Sequence, residues 1–176
     1  VVVPLWLHFK WPLGSRAFAL AAGIVVIVPT WVAIVQLRLP GPLFLLAVMA
    51  AVWIADVGAY LFGRLFGRHK LAINISPGKT WEGAIGGGVL VLLYGLVLRH
   101  LSGVEGYPLW VWIAVFVALG IFSVIGDLLE SLLKRQVGLK DSSAVLPGHG
   151  GVMDRIDSLT SVLPLAAFLL LVMEAA

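Results

Sequence analysis

The chain has 176 residues, 61% of them hydrophobic and 12% charged, and its mean hydropathy is +1.06. A soluble domain of this length needs a much more polar surface, so a water-soluble globular fold is excluded. There are 12 Lys and Arg against 9 Asp and Glu, for a formal net charge of +3, and the absence of Cys excludes disulfides and thiolate metal sites.

The chain starts without Met and inside an apolar stretch, residues 1–9, which reads as the tail of an earlier span in a chain that lacks its amino-terminal part. No basic flank or small-residue cleavage site marks a signal peptide there. Apolar runs then predict spans at residues 17–37, 42–62, 81–98, 108–133 and 156–173. Each approaches the about 20 residues that cross a bilayer as helix. The expected fold is all-α, a polytopic transmembrane helical bundle, with a kink at Pro29 that neighbouring helices accommodate.

Lys and Arg orient these spans. With Lys10 and Arg16 in the cytoplasm, alternation also places Arg64, Arg68, Lys70, Lys79, Lys134, Arg135, Lys140 and Arg155 inside, and leaves only Arg38 and Arg99 outside. That bias follows the positive-inside rule and explains the basic clusters without nucleic acid. The two polar loops, residues 63–80 and 134–154, then share the cytoplasmic face.

Gly83, Gly86, Gly87 and Gly88 in the third span, and the pair Gly63 and Gly67, have the small-residue spacing that lets membrane helices pack closely. Close approach of backbone to a ligand is the alternative reading.

An ionisable side chain within a span costs roughly 2.5–3.5 kcal/mol on insertion scales, and so requires a partner or a purpose. Asp56 lies about two turns from the inner end of the second span. Asp127 and Glu130 are three residues apart near the inner end of the fourth, and Asp154 and Asp157 are three apart where the fifth begins. Such spacing puts each pair on one helix face. Any one of them can be half of a buried ion pair. Five at one depth, below clustered Lys and Arg, point to a hard cation and phosphate, the equipment of phosphoryl or nucleotidyl transfer.

The segment 76–83, Ser-Pro-Gly-Lys-Thr-Trp-Glu-Gly, is not a P-loop: Ile73 occupies the position of the required first Gly, and no preceding strand is expected. It leads into a helix amino terminus, where free backbone N–H groups attract anions. Glu82 can instead cap that helix together with Ser76 or Thr80. The second loop is richer. It runs Ser131, two residues, Lys134-Arg135, four residues, Lys140-Asp141, then Pro147-Gly148-His149-Gly150-Gly151 and Asp154-Arg155-Ile156-Asp157. His149 alone would be an ordinary loop hydrogen-bonder; its flanking glycines allow close contact with a ligand.

These segments, with Asp56-Val57-Gly58-Ala59-Tyr60, resemble the phosphatidate cytidylyltransferase (CDP-diacylglycerol synthase) family from about residue 53 to the carboxyl end, whereas residues 1–50 match only as generic spans. The resemblance implies an amino-terminal transmembrane part, residues 1–50, and a catalytic transmembrane domain, residues 51–176. It implies a multi-pass protein of a bacterial inner membrane, with its active site facing the cytoplasm. There, CTP and the membrane lipid phosphatidate would give CDP-diacylglycerol and pyrophosphate. Mg²⁺ would be required, the identity of a second cation staying open, and the protein would be a homodimer. Asp127, Asp154 and Asp157 are the expected metal ligands, followed by Asp141 and Asp56. Lys134, Arg135, Lys140 and Arg155 would hold triphosphate or lipid phosphate. Ser76, Lys79, Thr80 and Glu82 would form the facing wall, and His149 would contact phosphate or position water. The alternatives are a CTP-dependent enzyme acting on another lipid phosphate or a polyprenol, and an ion-coupled transporter, whose inverted repeats the chain does not show.

Overall fold

A computed structural model describes residues 16–103, 106–136, 138–139, 142 and 153–175. Residues 1–9, Lys140, Asp141 and His149 lie outside the described residues, and Arg155 is described by its backbone alone. The elements in chain order are α1 (Arg16–Arg38), α2 (Pro42–Phe66), β1 (Lys70–Ala72), β2 (Ser76–Thr80), α3 (Trp81–Ser102), α4 (Leu109–Gln136) and α5 (Met153–Ala175). Among the described residues, five helices are long and apolar enough to cross a membrane. The protein is a polytopic transmembrane helical bundle.

Local chemistry sets the helix ends. Gly41, at φ 135, precedes Pro42, whose fixed φ and missing N–H suit the first position of α2. Gly103, at φ 62, closes α3 in the left-handed region. Thr80 caps the start of α3 by accepting the Gly83 N–H on Oγ1 at 3.2 Å.

α3 carries two stripes. Ile85, Val89, Leu93 and Val97 are exposed, whereas Gly83, Gly87, Val91 and Gly95 are buried. In water the first stripe would be costly, but acyl chains solvate it. The second brings backbones together: a Cβ on Gly83 would stand 2.6 Å from the Ala59 carbonyl oxygen, and one on Gly87 2.6 Å from that of Ala55. A Cβ on Gly86 would enter the Phe62 ring. Packing therefore accounts for these three glycines, as small residues do in membrane interfaces. Gly88 differs, with open space where its Cβ would be. On the other side of the bundle, Val162 and Leu163 of α5 form the centre of the core with Ala33 and Leu37 of α1.

Two expectations need correction. Residues 63–80 contain an antiparallel hairpin, with Lys70 opposite Thr80 and Ala72 opposite Ser76, where no strand was anticipated. Strands of three and five residues are too short to show a period of two, and Pro77 is tolerated because the ladder has only two strands. In addition, α2 runs to Phe66 and α4 to Gln136, so Arg64, Lys134 and Arg135 are on helices rather than in loops. Cations in a last turn complement the negative end of the helix dipole.

Candidate active site

The carboxyl-terminal ends of α2 and α4, the starts of α3 and α5, and the hairpin converge at one end of the bundle. A cavity of about 480 Å³ opens there between α2, α3, α4 and β2, lined by Asp56, Ser76, Lys79, Thr80, Ser123 and Asp127 among others.

Each charged group in the cavity has a structural reason for its place. Asp56 Oδ1 accepts hydrogen bonds from Ser123 of α4 at 3.1 Å and Ser158 of α5 at 3.0 Å, tying three helices at one carboxylate. Both serines are buried, and their hydroxyls satisfy a charge that lipid would not. β2 delivers Lys79 across the cavity, where Nζ meets Asp127 Oδ2 at 2.5 Å. Asp157 of α5 accepts the Ser158 N–H at 2.7 Å and is within electrostatic reach of Asp127, Glu130 and Asp56. Asp127 holds the Lys79 ammonium directly, and Asp56 lies within its electrostatic reach.

A second polar cell adjoins the first. Lys134 Nζ stands between Glu130 Oε2 at 2.6 Å and Asp154 Oδ1 at 2.7 Å, and Asp154 also accepts the Ser142 N–H at 3.0 Å. All three side chains are less than a fifth exposed. Arg135 points back toward the hairpin and donates to the Ile75 carbonyl oxygen at 3.5 Å.

Of the predicted residues, the cavity gathers Asp56, Ser76, Lys79, Thr80 and Asp127. Lys134 and Asp154 occupy the neighbouring cell, and Glu82 faces away from both. Its carboxylate accepts the His69 backbone N–H and contacts His69 Nδ1 at 2.6 Å. The capping reading holds for Thr80 but not for Glu82, which is the second residue of α3 and not the third that a capping box requires. His69, Ser123, Ser158 and Arg64 were not singled out from the sequence. Ser123 is four residues before Asp127 and Ser158 is beside Asp157, so helical spacing from the acids was an available signal.

No three His, Asp or Glu among the described residues form a group with metal-ligand spacing. Mg²⁺ nevertheless requires only one or two protein carboxylates, the other ligands being phosphate and water. The surplus of carboxylate over ammonium around Asp56, Asp127 and Asp157 fits that requirement. Asp154 is already held by Lys134 and Ser142.

The cytidylyltransferase family model matches residues 4–173. The chain is 46% identical over 160 residues to the phosphatidate cytidylyltransferase of Pseudomonas aeruginosa, covering 89% of this chain and 59% of that protein. It is 42% identical over 170 residues to the one from Haemophilus influenzae, covering 90% and 58%, and 46% identical over 136 residues to the one from Staphylococcus haemolyticus, covering 77% and 52%. The chain therefore spans between half and three-fifths of the length of these relatives. Ion-coupled transport is not favoured by any of these matches. With a family match that runs nearly end to end and a charged cavity where the family-like motifs converge, this chain belongs to the cytidylyltransferase family.

Proposed function

We propose that this chain forms the catalytic membrane part of an enzyme that transfers a cytidylyl group from CTP to phosphatidate, with release of pyrophosphate. The observation that carries the reading is the meeting of Lys79 and Asp127 in a cavity that also holds Asp56, at the bundle end where Lys134 and Asp154 stand. A phosphate oxygen of phosphatidate attacks the α-phosphorus of CTP; the new P–O bond forms as the bond to the bridging oxygen breaks, and the electron pair leaves with pyrophosphate. Phosphatidate is already anionic near neutral pH, so little general-base help is needed. The obstacle is the approach of two anions, and the site's task is positional and electrostatic.

Bound Mg²⁺ would neutralise phosphate charge; of its three expected ligands, Asp127 lines the cavity, Asp157 is within electrostatic reach of Asp127, and Asp154 is paired with Lys134. Lys79 lies at the cavity wall to meet phosphate, and Thr80 fixes the strand-to-helix turn that carries it. Lys134 is held by two carboxylates in the adjoining cell. Arg135, Lys140, Arg155 and His149 are assigned to the substrates, and Asp141 to the metal, by motif alone. The lysine and arginine distribution supports a cytoplasm-facing site, the bacterial relatives support an inner-membrane location, and a homodimer is part of the same proposal.

Turnover of radiolabelled CTP by the purified protein in detergent, with phosphatidate and with or without Mg²⁺, tests the reading. Labelled CDP-diacylglycerol that requires both additions is the expected product. Turnover with a polyprenol or another lipid phosphate, and none with phosphatidate, would overturn the choice of lipid.

A further inference from the structure

Four charged side chains line the cavity: Asp56, Arg64, Lys79 and Asp127. Lys79 is engaged by Asp127. Arg64 is not engaged by any carboxylate among the described residues; its Nη1 donates to the hydroxyl of Tyr60 at 3.0 Å. A neutral partner fixes the guanidinium without cancelling its charge, and a guanidinium has five N–H donors, most of which remain for a ligand.

The helix puts this group where it can act. Asp56, Tyr60 and Arg64 follow at intervals of four residues on α2, so they form one row along the face toward the cavity, with Arg64 nearest the open end of the helix. α2 also approaches β2 closely at this level: a Cβ on Gly63 would stand 3.1 Å from Thr80 Oγ1. Arg64 and Lys79 therefore belong to one wall-to-wall opening, contributed by α2 and by the hairpin.

From this geometry we infer that Arg64 is an anion-binding residue of the cavity, taking two oxygens of a phosphate group in its planar fork, and that Tyr60 is a positioning residue that aims it. The inference rests on the proposed function for the source of that phosphate, which is either the triphosphate of the nucleotide or the headgroup phosphate of the lipid. Arg rather than Lys suits the role because its fixed fork matches phosphate oxygens in pairs.

The test uses the purified protein in detergent with Arg64→Ala, Arg64→Lys and Tyr60→Phe. Pyrophosphate binding is measured by calorimetry, without turnover, alongside KM for CTP and for phosphatidate. If Arg64 holds the triphosphate, Arg64→Ala weakens pyrophosphate affinity and raises KM for CTP by about tenfold or more, Arg64→Lys recovers part of the loss, and kcat changes less than KM. If it holds the lipid phosphate, pyrophosphate affinity is unchanged and KM for phosphatidate rises by a similar factor. Tyr60→Phe moves the same constant in the same direction by a smaller factor, which a purely structural role would not single out. Unchanged pyrophosphate affinity together with unchanged KM for both substrates in Arg64→Ala would overturn the inference. A wild-type protein that binds pyrophosphate through Arg64 but does not consume CTP would instead overturn the proposed reaction and leave the anion site standing.

Discussion

Lys79 on β2 and Asp127 on α4 meet at 2.5 Å across the cavity, adding an ion pair to the apolar contact in which Ile75, between the two strands, clusters with Leu132 of the same helix. The ammonium and carboxylate are about a fifth and a third exposed, so the pair is partly shielded from water. It is the contact through which the Ser-Pro-Gly-Lys-Thr segment reaches the acids of the bundle.

Replacement of Lys79 by Ala removes both this tether and a cavity cation. Turnover of CTP is expected to fall by about 100-fold or more, the range for loss of one preorganised charged donor, with the helical bundle intact by circular dichroism. Asp127→Asn should raise the Mg²⁺ concentration needed for half-maximal activity. An unchanged Mg²⁺ dependence would remove Asp127 from the metal set.

Lys134 pairs with both Glu130 and Asp154 in a largely buried cell. Lys134→Ala leaves two carboxylates facing each other and is expected to cost about 3 kcal/mol, read as a lower Tm in detergent. Glu130→Gln in the same protein should restore part of that loss. The paired variants separate the stabilising role of Lys134 from any effect on apparent CTP affinity.

The glycines of α3 divide sharply. Gly87→Ala forces a methyl against the Ala55 carbonyl and should destabilise the protein by about 2 kcal/mol, whereas Gly88→Ala meets no heavy atom within 4 Å and should leave Tm unchanged. Since Gly88 lines the cavity, loss of activity in that variant at constant Tm would mark a ligand-facing position.

Glu82 is predicted to act on the hairpin rather than on substrate. Glu82→Ala frees the His69 backbone N–H and side chain, so hydrogen exchange in residues 69–80 should accelerate while α2 and α4 remain protected. Identical exchange in the hairpin would show that the clamp does not hold it.

Apolar runs and basic clusters were enough to read the five spans, because a bilayer demands uninterrupted hydrophobic helix and that demand is written residue by residue. The acids were legible for the same reason: Asp56, Asp127, Glu130, Asp154 and Asp157 stand out in surroundings that penalise charge. Their partners were not. Lys79 reaches Asp127, and Lys134 stands between Glu130 and Asp154, through side-chain choices made in three dimensions. Sequence spacing placed Glu82 near a helix start, but only the folded hairpin turned it toward His69. Ser123 and Ser158 are unremarkable as letters; helix packing makes them the donors to Asp56. Hydropathy is a property of each segment alone, so the sequence by itself determined the bundle. Which charge meets which depends on how segments pack, and that only the tertiary structure decided.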